Sequence, residues 1–297
     1  MKSDGGDQIL NKALGAYLGF ACGDALGATV EFMSPKQIQQ RFGVHSQIIG
    51  GGWLALEAGQ VTDDTQMSLA LGQAIIAHQG WNSRAVAENF LVWMDSDPPD
   101  VGNTCRRGIN RYRETGDIFG LPRADDAGNG ACMRNLPVVL ATLNSPEHFR
   151  DWSLQQNHIT HHHPLSDAAT LSLGRMVNLL IIGMDLQACR QQAENLIQEY
   201  SEFAYAPYPG KASAYIVDTV QTVLHYFFNN HSFADCLIAT VNQGGDADTT
   251  GALVGMLAGA KYGLDQIPEG WLQQLDQQVV SEIRWQTCEL LKLSKSI

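Results

Sequence analysis

Two short runs of oxygen-bearing side chains stand just ahead of apolar, helix-like stretches. Thr62–Asp63–Asp64–Thr65 precedes Met67–Ser68–Leu69–Ala70–Leu71, and Gly244–Gly245–Asp246–Ala247–Asp248–Thr249–Thr250 precedes Gly251–Ala252–Leu253–Val254. Asp and Thr at such places accept the free N–H groups of a first helical turn, and one carboxylate suffices for that. Each run carries two, which repel one another unless a cation compensates. Carboxylates, hydroxyls and water, without sulfur, are the ligands of hard divalent cations. The four carboxylates would hold two ions a few Å apart if the turns met in space, and such a pair activates water and fixes substrate oxygens. Spacing does not show that they meet, so capping and metal binding both stay open.

Three further groups have chemical potential. Pro99–Asp100–Val101–Gly102–Asn103–Thr104 ends at a helix start, where backbone N–H groups can receive phosphate. Asp125–Asp126–Ala127–Gly128–Asn129–Gly130–Ala131 is glycine-rich, which lets backbone approach a ligand closely. Each reads equally as an ordinary capped loop. The third is His158 with His161–His162–His163–Pro164; zinc lacks a companion Cys motif or HExxH here. The other readings are cations at a helix end or a neutral imidazole bonding phosphate, ribose or base. Tyr208 and Tyr215 flank a Pro/Gly loop and could stack on a base or pack as core aromatics. No GxSxG elbow, GxxxxGK[ST] loop or GxGxxG fingerprint is present.

The elements that position these groups read as helices. Apolar residues recur at helical spacing in Leu10–Leu26, Met67–Ile76, Val86–Met94, Leu171–Ile182, Ala214–Phe228 and Leu253–Leu257, while Gln47–Gly52 is the nearest approach to a strand. Without β-α-β alternation a parallel sheet is not expected. Gly15, Gly19, Gly23 and Gly27 recur every fourth residue, as do Gly251, Gly255 and Gly259, which predicts two helices packed backbone to backbone. The 297 residues carry 19 Lys+Arg against 31 Asp+Glu, a net charge of −12 that argues against general binding to nucleic acid. Six cysteines in no metal or redox spacing read as buried free thiols of a reducing compartment. With no signal core and no membrane-length apolar run, the expectation is a cytoplasmic protein: a flexible tail over 1–8 and a single all-α domain over 9–297.

Six segments in this order resemble the ADP-ribosylglycohydrolase family: GAYLGFACGDALGATVEF (15–32), GQVTDDTQMSLALG (59–72), DVGNTCRRG (100–108), DAGNGACMR (126–134), THHHPLSDAA (160–169) and NQGGDADTTGALVGMLAGA (242–260). The resemblance spans about residues 9–292. GGWL (51–54), DVGNTCRRG and SAYIVDTVQTVLHY (213–226) look like a branch whose target is the nitrogenase iron protein. It implies an all-α orthogonal helical bundle with a dinuclear metal centre, two divalent cations, Mn2+ or Mg2+. Thr62, Asp63 and Asp64 would supply one side and Asp246, Asp248 and Thr249 the other. Glu31 would lie near the ions. Asp100, Gly102, Asn103 and Thr104 would face ribose and diphosphate, Asp126, Asn129 and Gly130 would line the cleft, and His161 and Tyr215 would hold the adenosine end.

The implied reaction is hydrolysis of the N-glycosidic bond between ADP-ribose and a protein arginine, through an oxocarbenium-like state. Asp100 is the candidate for acid/base or ribose-opening work and Glu31 its competitor for the water. The branch implies regulation by a PII-type signal protein, with reversible recruitment to the membrane through an ammonium transporter. Two alternatives accompany this reading: a non-catalytic ADP-ribose-binding regulator and a two-metal phosphohydrolase that cleaves the diphosphate.

Overall fold

The computed structural model describes residues 4–296. Its helices are α1 (Asp4–Ala28), α2 (Pro35–Phe42), α3 (Asp63–Ala77), α4 (Ser83–Asp95), α5 (Asn103–Thr115), α6 (Leu136–Ala141) and α7 (Pro146–His158). There follow α8 (Pro164–Ile181), α9 (Leu186–Glu199), α10 (Ile216–Asn229), α11 (Phe233–Val241), α12 (Ala247–Tyr262), α13 (Glu269–Gln274) and α14 (Gln277–Leu293). Among the described residues β structure is confined to two isolated bridges, Gly51 with Leu56 and Gly128 with Tyr215. The run 47–52 is not a strand. Gly50, Gly51 and Gly52 all take left-handed φ, which turns the chain instead of extending it. Part of the expected tail is helical, since α1 begins at Asp4 and residues 5–8 form its exposed first turns; 1–3 lie outside the described residues. All six cysteines are free, five of them buried. No helix among the described residues is long and apolar enough to cross a membrane.

The centre of the molecule is the antiparallel pair α1 and α12. A methyl group on Gly15 would meet the Gly259 carbonyl, one on Gly19 the Gly255 carbonyl, one on Gly23 the Gly251 carbonyl, and one on Gly27 the Ala247 carbonyl. Each glycine inside a helix costs about 1 kcal/mol relative to Ala; side-chain-free contact along both helices offsets it through dispersion and buried area. Both helices are almost wholly buried around these contacts. The geometry has one functional consequence. Antiparallel register places the start of α12, with Asp246 and Asp248, against the end of α1, with Asp24 and the Glu31 that follows. Helix α3 packs against α4, α6 and α14 and also touches α1 and α12, so its first turn reaches the same end.

Candidate metal centre and cleft

Asp24, fully buried on α1, shapes the first acidic turn. Its carboxylate accepts the backbone N–H of Thr62 at 3.0 Å, the N–H of Thr65 at 3.1 Å and the Thr65 hydroxyl at 2.5 Å. Thr62 caps α3 by accepting the Asp64 N–H, which leaves Asp63 and Asp64 in the first helical turn. The second acidic turn is held by glycines. Gly244 and Gly245 take φ of 68° and 66°, and a side chain on either would strike the Met33 or Ala212 carbonyl. This close approach lets Phe32 N–H donate to the Gly245 carbonyl at 2.7 Å and Gly245 N–H to Met33 at 2.9 Å. Glu31 is thereby pinned beside Asp246.

The two turns, some 180 residues apart in sequence, converge. Glu31, Asp246 and Asp248 each offer a carboxylate oxygen within 4.8 Å of the others, and so do Asp63, Asp64 and Asp248. Asp248 belongs to both sets, and all five side chains are buried. Burial, then the neighbouring carboxylates, raise every carboxyl here. Glu31 and Asp63 are pushed up to about 8 and Asp246 to about 6, while Asp64 and Asp248 stand well above the usual range. Partial relief comes from donors: Trp53 Nε1–H to Glu31 at 2.5 Å, Thr249 Oγ1–H to Asp64 at 3.1 Å, and the Asn129 amide to Asp246.

The donor set fits a divalent cation on two counts. It is all oxygen and mostly carboxylate, as hard cations require. Among the described residues Asp64 Oδ1 is also the one buried side-chain oxygen or nitrogen without a hydrogen-bond partner. An orphaned carboxylate oxygen among like charges costs more than a neutral one, and a cation in front of it removes both penalties.

The carboxylates form the floor of a cleft of ≈ 380 Å³. Of the residues singled out in the sequence, Glu31, Asp63, Asp64, Asp246, Asp248 and Thr249 lie there together. Asp100, Gly102, Asn103 and Thr104 form one wall. Asn129, Gly130 and His161 form another. Three lie elsewhere. Thr62 is outside the lining and caps α3, with its hydroxyl 3.5 Å from Asp64 Oδ2. Asp126 is buried in an ion pair with Arg107 and accepts the His162 N–H, which satisfies its carboxylate away from the cleft. Tyr215 is 41% exposed and bridges by its backbone to Gly128, so its chain borders the cleft while its ring is outside the lining.

The remaining histidines have local partners. His158 pairs with Asp167 at 2.9 Å and stacks on His162, His162 bonds the Gly120 carbonyl, and His163 caps α8. None joins a ligand cluster among the described residues. Tyr208 stacks on His225 and bonds Thr222, the packing role of a core aromatic.

Sequence reasoning missed Asp24, Trp53 and Phe32. Asp24 left a trace, as the one charge within an apolar stretch. Trp53 and Phe32 form an aromatic pair at the cleft rim, ring centroids 5.3 Å apart and 52% and 65% exposed. Both line the cleft beside Glu31, which no local pattern announces.

A helical bundle with a glycine-packed centre and carboxylates from α3 and α12 around one cleft defines the class. The profile of the ADP-ribosylglycohydrolase family matches residues 6–296, and the chain belongs to that family. It is 56% identical over 289 residues to the ADP-ribosyl-[dinitrogen reductase] glycohydrolase of Rhodospirillum rubrum, covering 97% of this chain and 98% of the relative. The ADP-ribosylarginine hydrolase Tri1 of Serratia proteamaculans is 31% identical, with 91% of this chain and 77% of the relative covered. A solved ADP-ribosylglycohydrolase-related protein complex superimposes with a TM-score of 0.84 at 31% identity, covering 97% of this chain and 99% of that one.

Proposed function

We propose that the chain is a hydrolase that removes ADP-ribose from an ADP-ribosylated arginine of a target protein, the iron protein of nitrogenase (dinitrogenase reductase), and so reactivates it. The observation that carries this reading is the pair of buried carboxylate triads sharing Asp248 on the floor of one cleft. The names of the two relatives above supply the substrate: one is a glycohydrolase of ADP-ribosylated dinitrogen reductase, the other a hydrolase of ADP-ribosylarginine.

Glu31, Asp246 and Asp248 would hold one divalent cation and Asp63, Asp64 and Asp248 a second, with Mn2+ or Mg2+ as the ion. The hydroxyls of Thr62 and Thr249, 3.5 and 3.1 Å from Asp64 Oδ2, would complete the ligand set. When bound, such ions polarise water and orient vicinal ribose hydroxyls. The chain's own groups do the rest. No side chain caps α5, and its first-turn N–H groups beside Gly102, Asn103 and Thr104 are placed to receive the diphosphate. Asn129 and Gly130 border the sugar, and His161 with Tyr215 serves the adenosine end. Asp126 is assigned to the substrate with them, its carboxylate paired with Arg107 and the His162 N–H.

Hydrolysis breaks the bond from C1″ of the ribose to the arginine nitrogen and forms a bond from C1″ to a water oxygen. Water loses a proton and the guanidine leaves as guanidinium, so a base and an acid are both needed. Glu31, oriented by Trp53, is placed to accept the proton of the water. Asp100, at the wall with its carboxylate Oδ1 accepting the Val101 N–H at 2.7 Å, is placed to serve the leaving group or the ribose. Single-turnover rates of Glu31→Gln and Asp100→Ala separate the two roles.

The deciding assay is product analysis. Incubating ADP-ribosyl-arginine peptide with the protein and Mn2+ is expected to release intact ADP-ribose and unmodified arginine. AMP with ribose phosphate would indicate a phosphohydrolase, and no product a binding regulator. The reading extends to control by a PII-type signal protein and to reversible peripheral membrane association through an ammonium transporter; co-purification with that signal protein tests it.

A further inference from the structure

Behind the cleft wall lies a fully buried arginine with no carboxylate partner among the described residues. Arg134 stands over the Phe90 ring, its Cζ 4.3 Å from the centroid. Its Nε donates to Gln156 Oε1 at 2.8 Å and its Nη2 to the Gln156 carbonyl at 2.9 Å. Nη2 also donates to Thr160 Oγ1 at 2.8 Å, and Nη1 faces the sulfurs of Met67 and Cys105. Gln156 is anchored in turn by Ala131, Asn135 and Asn157, so the guanidinium cannot swing away. Burying such a charge is costly unless its donors do something that an apolar residue cannot.

A guanidinium only donates. Thr160 Oγ1 therefore accepts from Arg134, and its single hydroxyl proton needs an acceptor of its own. Among the described residues the strong acceptor within reach is His161 Nδ1, at 2.8 Å; the Cys105 sulfur is the other neighbour and a weak acceptor. Were Nδ1 protonated, the Thr160 proton would be left in a buried site with only that sulfur, a penalty that donor-to-acceptor order avoids. Nδ1 is thus the acceptor and the imidazole proton sits on Nε2. That nitrogen has no protein partner among the described residues and lines the cleft beside Gly128 and Gly130; a side chain on Gly128 would come to 3.0 Å from it. Burial, with Arg134 and Arg107 nearby, opposes a second proton on the ring.

We propose that Arg134 and Thr160 are positioning residues that hold His161 as the neutral Nε2–H tautomer, aimed into the cleft as a hydrogen-bond donor. Its ligand, on the glycohydrolase reading above, is an acceptor oxygen of the ADP-ribose moiety. A fixed neutral donor recognises that oxygen without adding a proton that would titrate during turnover.

Long-range 1H–15N spectra of histidine-labelled protein test this, with His161 assigned by its loss in His161→Gln. The expected wild-type pattern is Nε2–H, unchanged between pH 5.5 and 8. Thr160→Val, of the same shape, is expected to lose the single tautomer and to bind ADP-ribose roughly tenfold more weakly by calorimetry. Thr160→Ser is expected to restore both. An Nδ1–H or imidazolium pattern in the wild type overturns the proposal, as does Thr160→Val with unchanged tautomer and affinity. The tautomer is read without substrate, so failure of the glycohydrolase reading leaves this test standing.

Discussion

Removing divalent cations should make the protein lose stability as pH rises from acid toward neutral. The perturbation is dialysis against a chelator, and the cause is the carboxylate floor. Glu31 and Asp63 are held at about 8 and Asp24 and Asp246 at about 6, chiefly by burial. In the unfolded chain all of them titrate near 4. Between those limits the folded protein binds more protons than the unfolded one, so folding free energy drains away as pH climbs through the window from about 4 to about 8. One excess proton corresponds to about 1.4 kcal/mol per pH unit. Counting only one, although several carboxyls are coupled, gives a loss of about 3 kcal/mol between pH 5.5 and 7.5. In a chain of 297 residues that lowers Tm by roughly 4–5 °C. Scanning calorimetry in chelator should show this fall, and saturating Mn2+ should flatten or reverse it, because the cation replaces the protons. Asp248→Asn, which removes the carboxylate common to both triads, should show a weaker slope and a smaller Mn2+ gain. A chelated protein whose Tm is flat or rising over this range, with no Mn2+ gain at pH 7.5, would show that the floor carboxyls are not held protonated by burial.

Two other perturbations probe the supports of the site. Gly23→Ala should destabilise the fold by at least 2 kcal/mol in denaturant titrations, although Ala is the better helix former, because its methyl meets the Gly251 backbone at the α1–α12 contact; a neutral or stabilising result contradicts the backbone-to-backbone packing. Trp53→Phe should keep the rim aromatic and lose the hydrogen bond to Glu31, lowering kcat on ADP-ribosyl-arginine roughly tenfold with little change in Tm; an unchanged kcat removes Trp53 from the orientation of Glu31.

The parts of the site that were legible in the amino-acid string are those in which local and tertiary demands coincide. Asp63, Asp64, Asp246 and Asp248 sit at helix starts, where capping already favours acids, and their surplus over what capping needs was the visible signal. The glycine repeats were legible because side-chain-free faces at four-residue spacing have few other uses. That Asp248 serves both triads was not legible, since it depends on the register of α1 against α12. The surroundings of Asp126 and Tyr215 were not legible either. Their types and neighbours suit ligand binding, and folding adds Arg107 beside the carboxylate of one and a backbone bridge to Gly128 that holds the other at the border of the cleft. Asp24, Trp53, Arg134 and Thr160 act only through partners brought in by folding.

The central claim is that carboxylates from the two acidic turns jointly hold divalent cations. Anomalous scattering from crystals grown with Mn2+ addresses it most directly. Manganese is expected between Glu31, Asp246 and Asp248 and again between Asp63, Asp64 and Asp248, each ion bonded to an Asp248 oxygen. Manganese bound elsewhere, with these carboxylates left free of it at saturating concentration, would contradict the account.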